Sequence, residues 1–525
     1  VLIDSGADIL SYGMGEHSVV QIAQMLEKGV PVKKIRGIRG TVFTAELDYK
    51  PEFPFVDTFK YDELKNDKKA YAKAFRIQYS NQSPCDGKAV VEYYDNKKLV
   101  QNPPSHLLTR EEMDWVYSLP YTRTWHPSYD ALGGIAALKE VEFSITHNRG
   151  CFGSCAFCAI AFHQGRNVVS RSIESVVEEA RLLTTLKGFK GYIHDIGGPT
   201  ANFRYGPCKV VRDGTRGVCK ERRCLAPEPC KNLICDHSEY VELLEKVAAL
   251  PGVKKVFVRS GVRFDYAVYD KDSTFIDVLV RKHVSGQLKT APEHVSDNVL
   301  SYMGKPKIAV YEKFCDKYFA ACRRAGLEQY IVPYLMSSHP GSTLDDAIDL
   351  ALYLKKHGIR PEQVQDFYPT PGTAATCMYY TGLDPFTMQP VEVTRDYEQK
   401  RMQRALLQAS RPENAGLVEK AIRLSGRDDA KILLPPQMRH SEKQQRRNTG
   451  KQQNERTKGK HVQDKRQTYG RKSEKSSGIS NKGKAGKTVK NGVSGRTSLS
   501  PSKVNTGKMY QDKNKKTGRR YNSGR

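Results

Sequence analysis

Short apolar runs alternate with amphipathic stretches along the middle of the chain, and the alternation sets in at Val141. Six runs read as strands: VEFSIT (141–146), GYIHDI (191–196), KVFVRS (255–260), GQLKT (286–290), YIVPYLM (330–336) and VQDFYP (364–369). Segments of helical period lie between several of them, such as Ser172 to Leu186, where Ile173, Val176, Val177, Ala180 and Leu183 share one face. Strands alternating with helices predict a parallel sheet covered by helices. Six units are two short of an eight-fold TIM-type barrel, an architecture whose active sites gather at the C-terminal strand ends.

Residues 1–45 read as one β–α–β piece: the strand ADILSYG, a helix opened by Gly15–Ser18 with Val19, Ile22, Ala23 and Leu26 on one face, and a strand near Thr41–Phe43. This piece is expected to be the remnant of an α/β domain whose earlier part is missing. Residues 46–140 mix charged, aromatic and Pro-rich pieces and read as a connecting region with some helix. The β–α unit spans 141–375, followed by a helical extension over 376–435.

Charge changes the picture only at the end of the chain. The 525 residues carry +27, but the stretch from Gln437 onward holds 26 Lys and Arg against 5 Asp and Glu, leaving about +6 for the rest. With almost no apolar residues, 436–525 is expected to be a disordered basic tail. Its charge allows loose, salt-sensitive contact with RNA, beside the plainer reading of a solvated tail. No secretory signal or membrane-spanning run is present in the sequence, so the twelve Cys point to metal sites in a reducing cytoplasm rather than to disulfides.

The densest chemistry is THNRGCFGSCAFCAIAFHQGR, where Cys151, Cys155 and Cys158 form a C-x3-C-x2-C run. Three thiolates can hold three irons of a [4Fe–4S] cube and leave the fourth open, unlike the bacterial ferredoxin spacing, in which every iron is ligated by protein. Gly150 and Gly153 are expected to give this loop backbone freedom. The alternatives are three ligands of a zinc site, or packed thiols. A second group, Cys208, Cys219, Cys224, Cys230 and Cys235, falls in an insertion over 204–237 and matches no regular spacing. It reads as a second metal or cluster site, with His237 as a further ligand, or as packed or redox-active thiols.

Polar groups cluster after each strand. Gly197 and Gly198 would let a strand end approach a ligand with no Cβ in the way. Arg259 or Arg263 can grip a carboxylate with a guanidinium fork, or simply form a surface salt bridge. Lys289, Glu293 and His294 stand within six residues and can move protons or hold a substrate, while His294 is equally suited to capping the next helix. SSHPGST (337–343) and TPGT (370–373) complete the series.

The order RGCFGSCAFCAIAFHQGR, DIGGPTAN, FVRSGVRFDYA, LKTAPEH, YMGKP and SSHPGST resembles the YgiQ-like proteins of the radical S-adenosylmethionine (SAM) superfamily over about residues 1–435. The resemblance implies an α/β fold: a partial (βα)6 TIM-type barrel preceded by the remnant of a cobalamin-binding-like α/β domain. It implies that SAM chelates the open iron and is cleaved reductively to a 5′-deoxyadenosyl radical. The electron would come from a low-potential donor such as flavodoxin or ferredoxin, and the radical would act on an unidentified substrate. Phe157 would lie near the adenine; Gly197 and Gly198 would fall at the family's Gly-Gly-Glu segment, with Pro199 in place of Glu; Ser260 and Arg263 would help place SAM. No D-x-H-x-x-G motif is found, so cobalamin use has no support in the sequence. The competing function classes are an RNA-binding or RNA-modifying protein recruited through its tail, and a structural metal protein.

Overall fold

The computed structural model describes residues 1–438 apart from 214, 215 and 273. The basic tail therefore lies, from residue 439 on, outside the described residues. Two strand systems make up a mixed α/β fold.

The N-terminal system is a five-stranded sheet in the order Ile9–Ser11, Thr41–Ala45, Lys98–Gln101, Ala89–Tyr93, Phe55–Lys60. All neighbours are antiparallel except the last pair, which is parallel. Residues 46–140 thus do more than connect: they supply three of the five strands. The helix Glu16–Glu27 forms where its period places it, but Val19 and Leu26 of its apolar face are exposed and only Ser18 is buried. Burial is shifted round the helix to the side shared by Ser18, Ile22 and Met25, where Ser18 Oγ meets Ser11 Oγ at 2.7 Å.

All six expected strands from Val141 onward are present: the first, third and sixth are shorter than their runs, the second is split in two, and the fourth and fifth run on past theirs. Ser144–Thr146 pairs with Asp195–Gly197, Tyr192–Ile193 with Lys255–Val256, and Gln287–Glu293 with Tyr330–Ser337, which also pairs with Gln365–Asp366; every pairing is parallel. Between the third and fourth strands the link is the π-helical turn Leu279–His283, where Val258 N–H donates to the His283 carbonyl (3.0 Å). Among the described residues no pairing joins the last strand to the first, so no closed barrel forms.

One core joins the first four of these strands to their helices. Ile145, Ile193, Ile196, Val256 and Leu288 from the strands meet Val176, Ala180 and Leu183 of Ile173–Thr185 and Leu243, Leu244 and Val247 of Ser238–Ala248. Ser172 caps the first of these helices by accepting from Ser175 N–H at 3.0 Å. Burying a large aliphatic side chain stabilises by about 1.5–3 kcal/mol, so this core is what fixes the strand ends in space. No helix among the described residues is long and apolar enough to cross a membrane.

Candidate metal centre

The Cys loop leaves and returns through an antiparallel ribbon, Asn148–Arg149 against Val169–Ser170. Gly150 sits at its neck with φ +80°, and a Cβ there would lie 1.9 Å from the Asn167 carbonyl oxygen. Gly153 answers a different need: a Cβ would stand 2.6 Å from Arg263 Nη1. The first glycine supplies backbone freedom and the second makes room for a cation.

That cation is placed in detail. Arg263 is buried; it grips Asp265 through Nε (2.8 Å) and Nη2 (3.0 Å) and donates Nη1–H to Cys155 Sγ at 3.2 Å. Its fork is therefore occupied by Asp265 rather than open to an incoming carboxylate. Lys305, also buried, bonds the Ala291 carbonyl (2.7 Å), stands 3.7 Å from Glu293 and lies 5.9 Å from the Phe157 ring centre. Burial works to raise the Cys155 thiol, yet Lys305 and Arg263 together hold it below the ordinary thiol value. Cys158, where Lys305 opposes the rise only weakly, is pushed up to about 11 by burial and then by Cys155, and burial raises Cys151 as well.

The segment after the second strand braces the loop from below. Thr200 Oγ1 lies 3.5 Å from Cys151 Sγ, and Asn202 accepts from Arg263 N–H at 2.8 Å. The glycine pair is as tight as expected, although protein groups provide the close approach. A Cβ on Gly197 would meet Ser260 Oγ at 1.8 Å, and one on Gly198 would meet Asn148 Oδ1 at 1.7 Å. Asp195 accepts from Arg259 N–H (2.7 Å), from Ser260 N–H (3.1 Å) and from the Ser260 hydroxyl, so Ser260 is engaged and the Arg259 side chain is exposed.

The three expected catalytic residues are not brought together. Lys289 is exposed on its strand. Glu293 is buried beside Lys305 with φ +70°, at the point where the strand register shifts, an unusual conformation for a residue with a side chain. His294 is buried and accepts from Ser296 N–H at 3.1 Å, which fits its reading as part of the helix entry. Phe157 meets His339 edge-on at 5.9 Å.

Two buried polar atoms after the fifth strand, Ser338 Oγ and His339 Nε2, have no hydrogen-bond partner among the described residues, and neither has Asn148 Oδ1 beside Gly198. His339 Nδ1 lies 2.7 Å from the Pro340 carbonyl, so Nδ1 carries the proton and Nε2 presents a lone pair. Buried polar atoms left over in this way mark where a bound group has something to meet. No three His, Cys, Asp or Glu among the described residues stand close enough to hold a single ion. A cube whose corners each take one thiolate asks for a wider spread, and three thiols on one loop beside an Arg N–H fit it.

The second Cys group is divided. Cys224 is pushed up to about 12 by burial first and then by the nearby Cys219, Cys230 and Cys208, whereas burial and then Asp270 and Asp265 raise Cys235. Cys224 and Cys235 pack against Phe152, Phe203, Val218 and Leu225, the surroundings of packed thiols. His237 is no ligand: Asp270 takes Nδ1, Asn202 Nδ2 meets Nε2 at 2.9 Å, and the ring stacks on Phe275.

Sequence reasoning missed Lys305, Asp265, Thr200 and Asn202. Lys305 stands between Gly304 and Pro306, just past the end of the helix Asp297–Met303, and Asp265 is two residues beyond Arg263. A helix stop followed by Lys-Pro was the one readable signal.

A family described as radical SAM N-terminal matches residues 1–144, and a domain of unknown function, DUF3362, matches residues 362–519. A UPF0313 protein of Clostridium botulinum strain 657 is 52% identical over 429 residues, covering 82% of this chain and 67% of the relative. One from Clostridium perfringens strain 13 is 54% identical over 431 residues, covering 82% and 64%. The chain thus spans about two thirds of the length of these relatives. A solved structure, the cobalamin-dependent SAM radical enzyme OxsB with aqua-cobalamin bound, is similar at 11% identity and a TM-score of 0.43, over 77% of this chain and 51% of that one. The chain belongs to the YgiQ-like UPF0313 family of radical SAM enzymes.

Proposed function

We propose that Cys151, Cys155 and Cys158 hold a [4Fe–4S] cluster and that this enzyme binds SAM at the open iron. The six parallel strands, with the site at their C-terminal ends, are read as a partial (βα)6 barrel. When bound, the cluster and SAM would supply reductive cleavage to methionine and a 5′-deoxyadenosyl radical able to take hydrogen from a substrate. The chain's own residues do the rest. Arg263 hydrogen-bonds the Cys155 sulfur and Asp265 keeps that guanidinium in place. Lys305 offsets negative charge at the loop, and His339 Nε2 with Ser338 Oγ offers polar atoms beside Phe157. The electron is assigned to a low-potential donor of the flavodoxin or ferredoxin kind.

One observation carries this reading: the central sulfur of a C-x3-C-x2-C loop takes a guanidinium N–H, with a second buried cation close by. Anaerobic reconstitution should yield about four irons per chain and, with dithionite and SAM, 5′-deoxyadenosine. Cys151→Ala should abolish both, and continued SAM cleavage by that variant would remove the assignment.

A further inference from the structure

A cavity of about 800 Å³ lies between the helix Lys68–Ser80, the insertion around 220–228, and the stretch from Met378 to Gln389. Its size is that of a small-molecule site. Its acidic lining residues are already engaged. Glu221 stands 3.8 Å from Arg76, Glu228 pairs with Lys307 at 2.9 Å, and Asp384 accepts from Phe386 N–H and the Thr387 hydroxyl.

The cations are not matched in the same way. Arg166 is buried at 6% exposure, and its Nη1 reaches only neutral groups, Tyr79 OH (3.3 Å) and the Cys219 carbonyl (3.1 Å). Its Nε and Nη2 make no hydrogen bond among the described residues, and no carboxylate lies within ion-pair range there. Arg223 bonds only the Ser301 carbonyl (3.4 Å) and likewise has no acidic partner among the described residues. Both guanidiniums are backed by aromatic faces, Arg166 by Tyr79 at 4.7 Å and Arg223 by Phe386 at 5.9 Å. A buried guanidinium without a counter-charge is costly, so Arg166, with the half-buried Arg223 lining the same cavity, calls for an anion from outside. Tyr79 and Arg223 also border a small void that reaches Cys155, which sets this cavity beside the Cys loop.

We propose that this cavity binds a small molecule bearing a phosphate or a carboxylate, gripped by Arg166 and Arg223. The guanidinium fork matches either oxyanion in two-point fashion. If the radical SAM reading holds, on which this last step rests, the ligand is the substrate.

Calorimetry on the full reconstituted chain, without oxygen, tests the proposal with phenyl phosphate, benzoate and uncharged phenol. Saturable binding of phenyl phosphate or benzoate but not phenol is expected, and whichever acid binds more tightly identifies the oxyanion. Arg166→Gln and Arg223→Gln should each weaken that binding about tenfold or more. Melting temperatures establish that each variant is folded, and Arg223, more loosely held, decides the matter if Arg166→Gln is not. No saturable binding with a Kd of about 1 mM or tighter, equal binding of phenol, or unchanged affinity in folded variants overturns the proposal. SAM cleavage is followed in the same preparations. Cleavage without probe binding sinks the anion site alone, and probe binding without cleavage sinks the enzyme reading alone.

Discussion

Arg263 donates to the Cys155 sulfur across 3.2 Å while Asp265 occupies the rest of its guanidinium fork. Partners that orient a metal ligand change metal affinity by about 10–100-fold when lost. Arg263→Gln should therefore lower iron retention by that order during dilution against a chelator. Asp265→Asn, which loosens the guanidinium without removing it, should give a smaller loss and a shifted reduction potential. Identical iron content and potential in both variants would mean that the pair merely braces the helix that follows.

Gly198 of the glycine pair has a control in Gly261 of the same chain. Gly198→Ala puts a methyl group 1.7 Å from Asn148 Oδ1, whereas Gly261→Ala meets nothing within 4 Å. The first should destabilise by about 1–3 kcal/mol through overpacking, and the second should stay within about 0.5 kcal/mol. Urea titration of the two proteins measures the difference, and equal midpoints would contradict the packing described.

Lys305 and Glu293 are both buried and 3.7 Å apart. Lys305→Met strands the carboxylate and should destabilise by about 3–5 kcal/mol. The double variant with Glu293→Gln should regain most of that loss. A double variant no more stable than Lys305→Met would show that the two residues are not coupled.

Among the described residues, His147, His294 and His339 are buried and held in the neutral form. Burial lowers His147 to about 3, with Arg204 opposing its charge; it lowers His339 to about 3 and His294 to about 4. His147 bonds the Ala201 carbonyl through Nε2 (2.8 Å) and receives Arg204 Nη1 at Nδ1 (3.2 Å), leaving no place for a second proton. A depressed histidine pKa means that the unfolded chain binds the proton first as pH falls. Stability is then complete above the unfolded value of 6.5 and is lost progressively below it. Each residue should withdraw about 2 kcal/mol by pH 5. Urea midpoints at pH 7.5 and pH 5 measure this, and a flat profile would contradict neutral burial.

The parallel strands and the helix Ile173–Thr185 were legible because their apolar runs are buried on the side that the period indicates. The N-terminal sheet was hidden for the opposite reason. Phe55–Lys60 has no clean alternation and is partly exposed throughout, so nothing separates it from loop. Its neighbour gave a fair signal that went unused, since Asp95-Asn96 between AVVEYY and KLVQ marks a hairpin, closed by Tyr94 N–H on the Lys97 carbonyl. In the site, spacing revealed the cysteines but not their cations, because Arg263 reaches Cys155 across 108 residues of chain. Only folding brings such partners together, and pattern within a window cannot register them.

The ribbon of Asn148–Arg149 with Val169–Ser170, pinched at Gly150, has a consequence for the cysteines it encloses. The entropic cost of gathering three thiols is met by the strand pairing, before any iron arrives. On the cluster reading proposed above, loading would be assembly onto a standing frame, unlike a zinc finger that must fold around its ion. Iron lost to oxygen would leave an intact cradle open to repair, and the chain around it would have no reason to unravel.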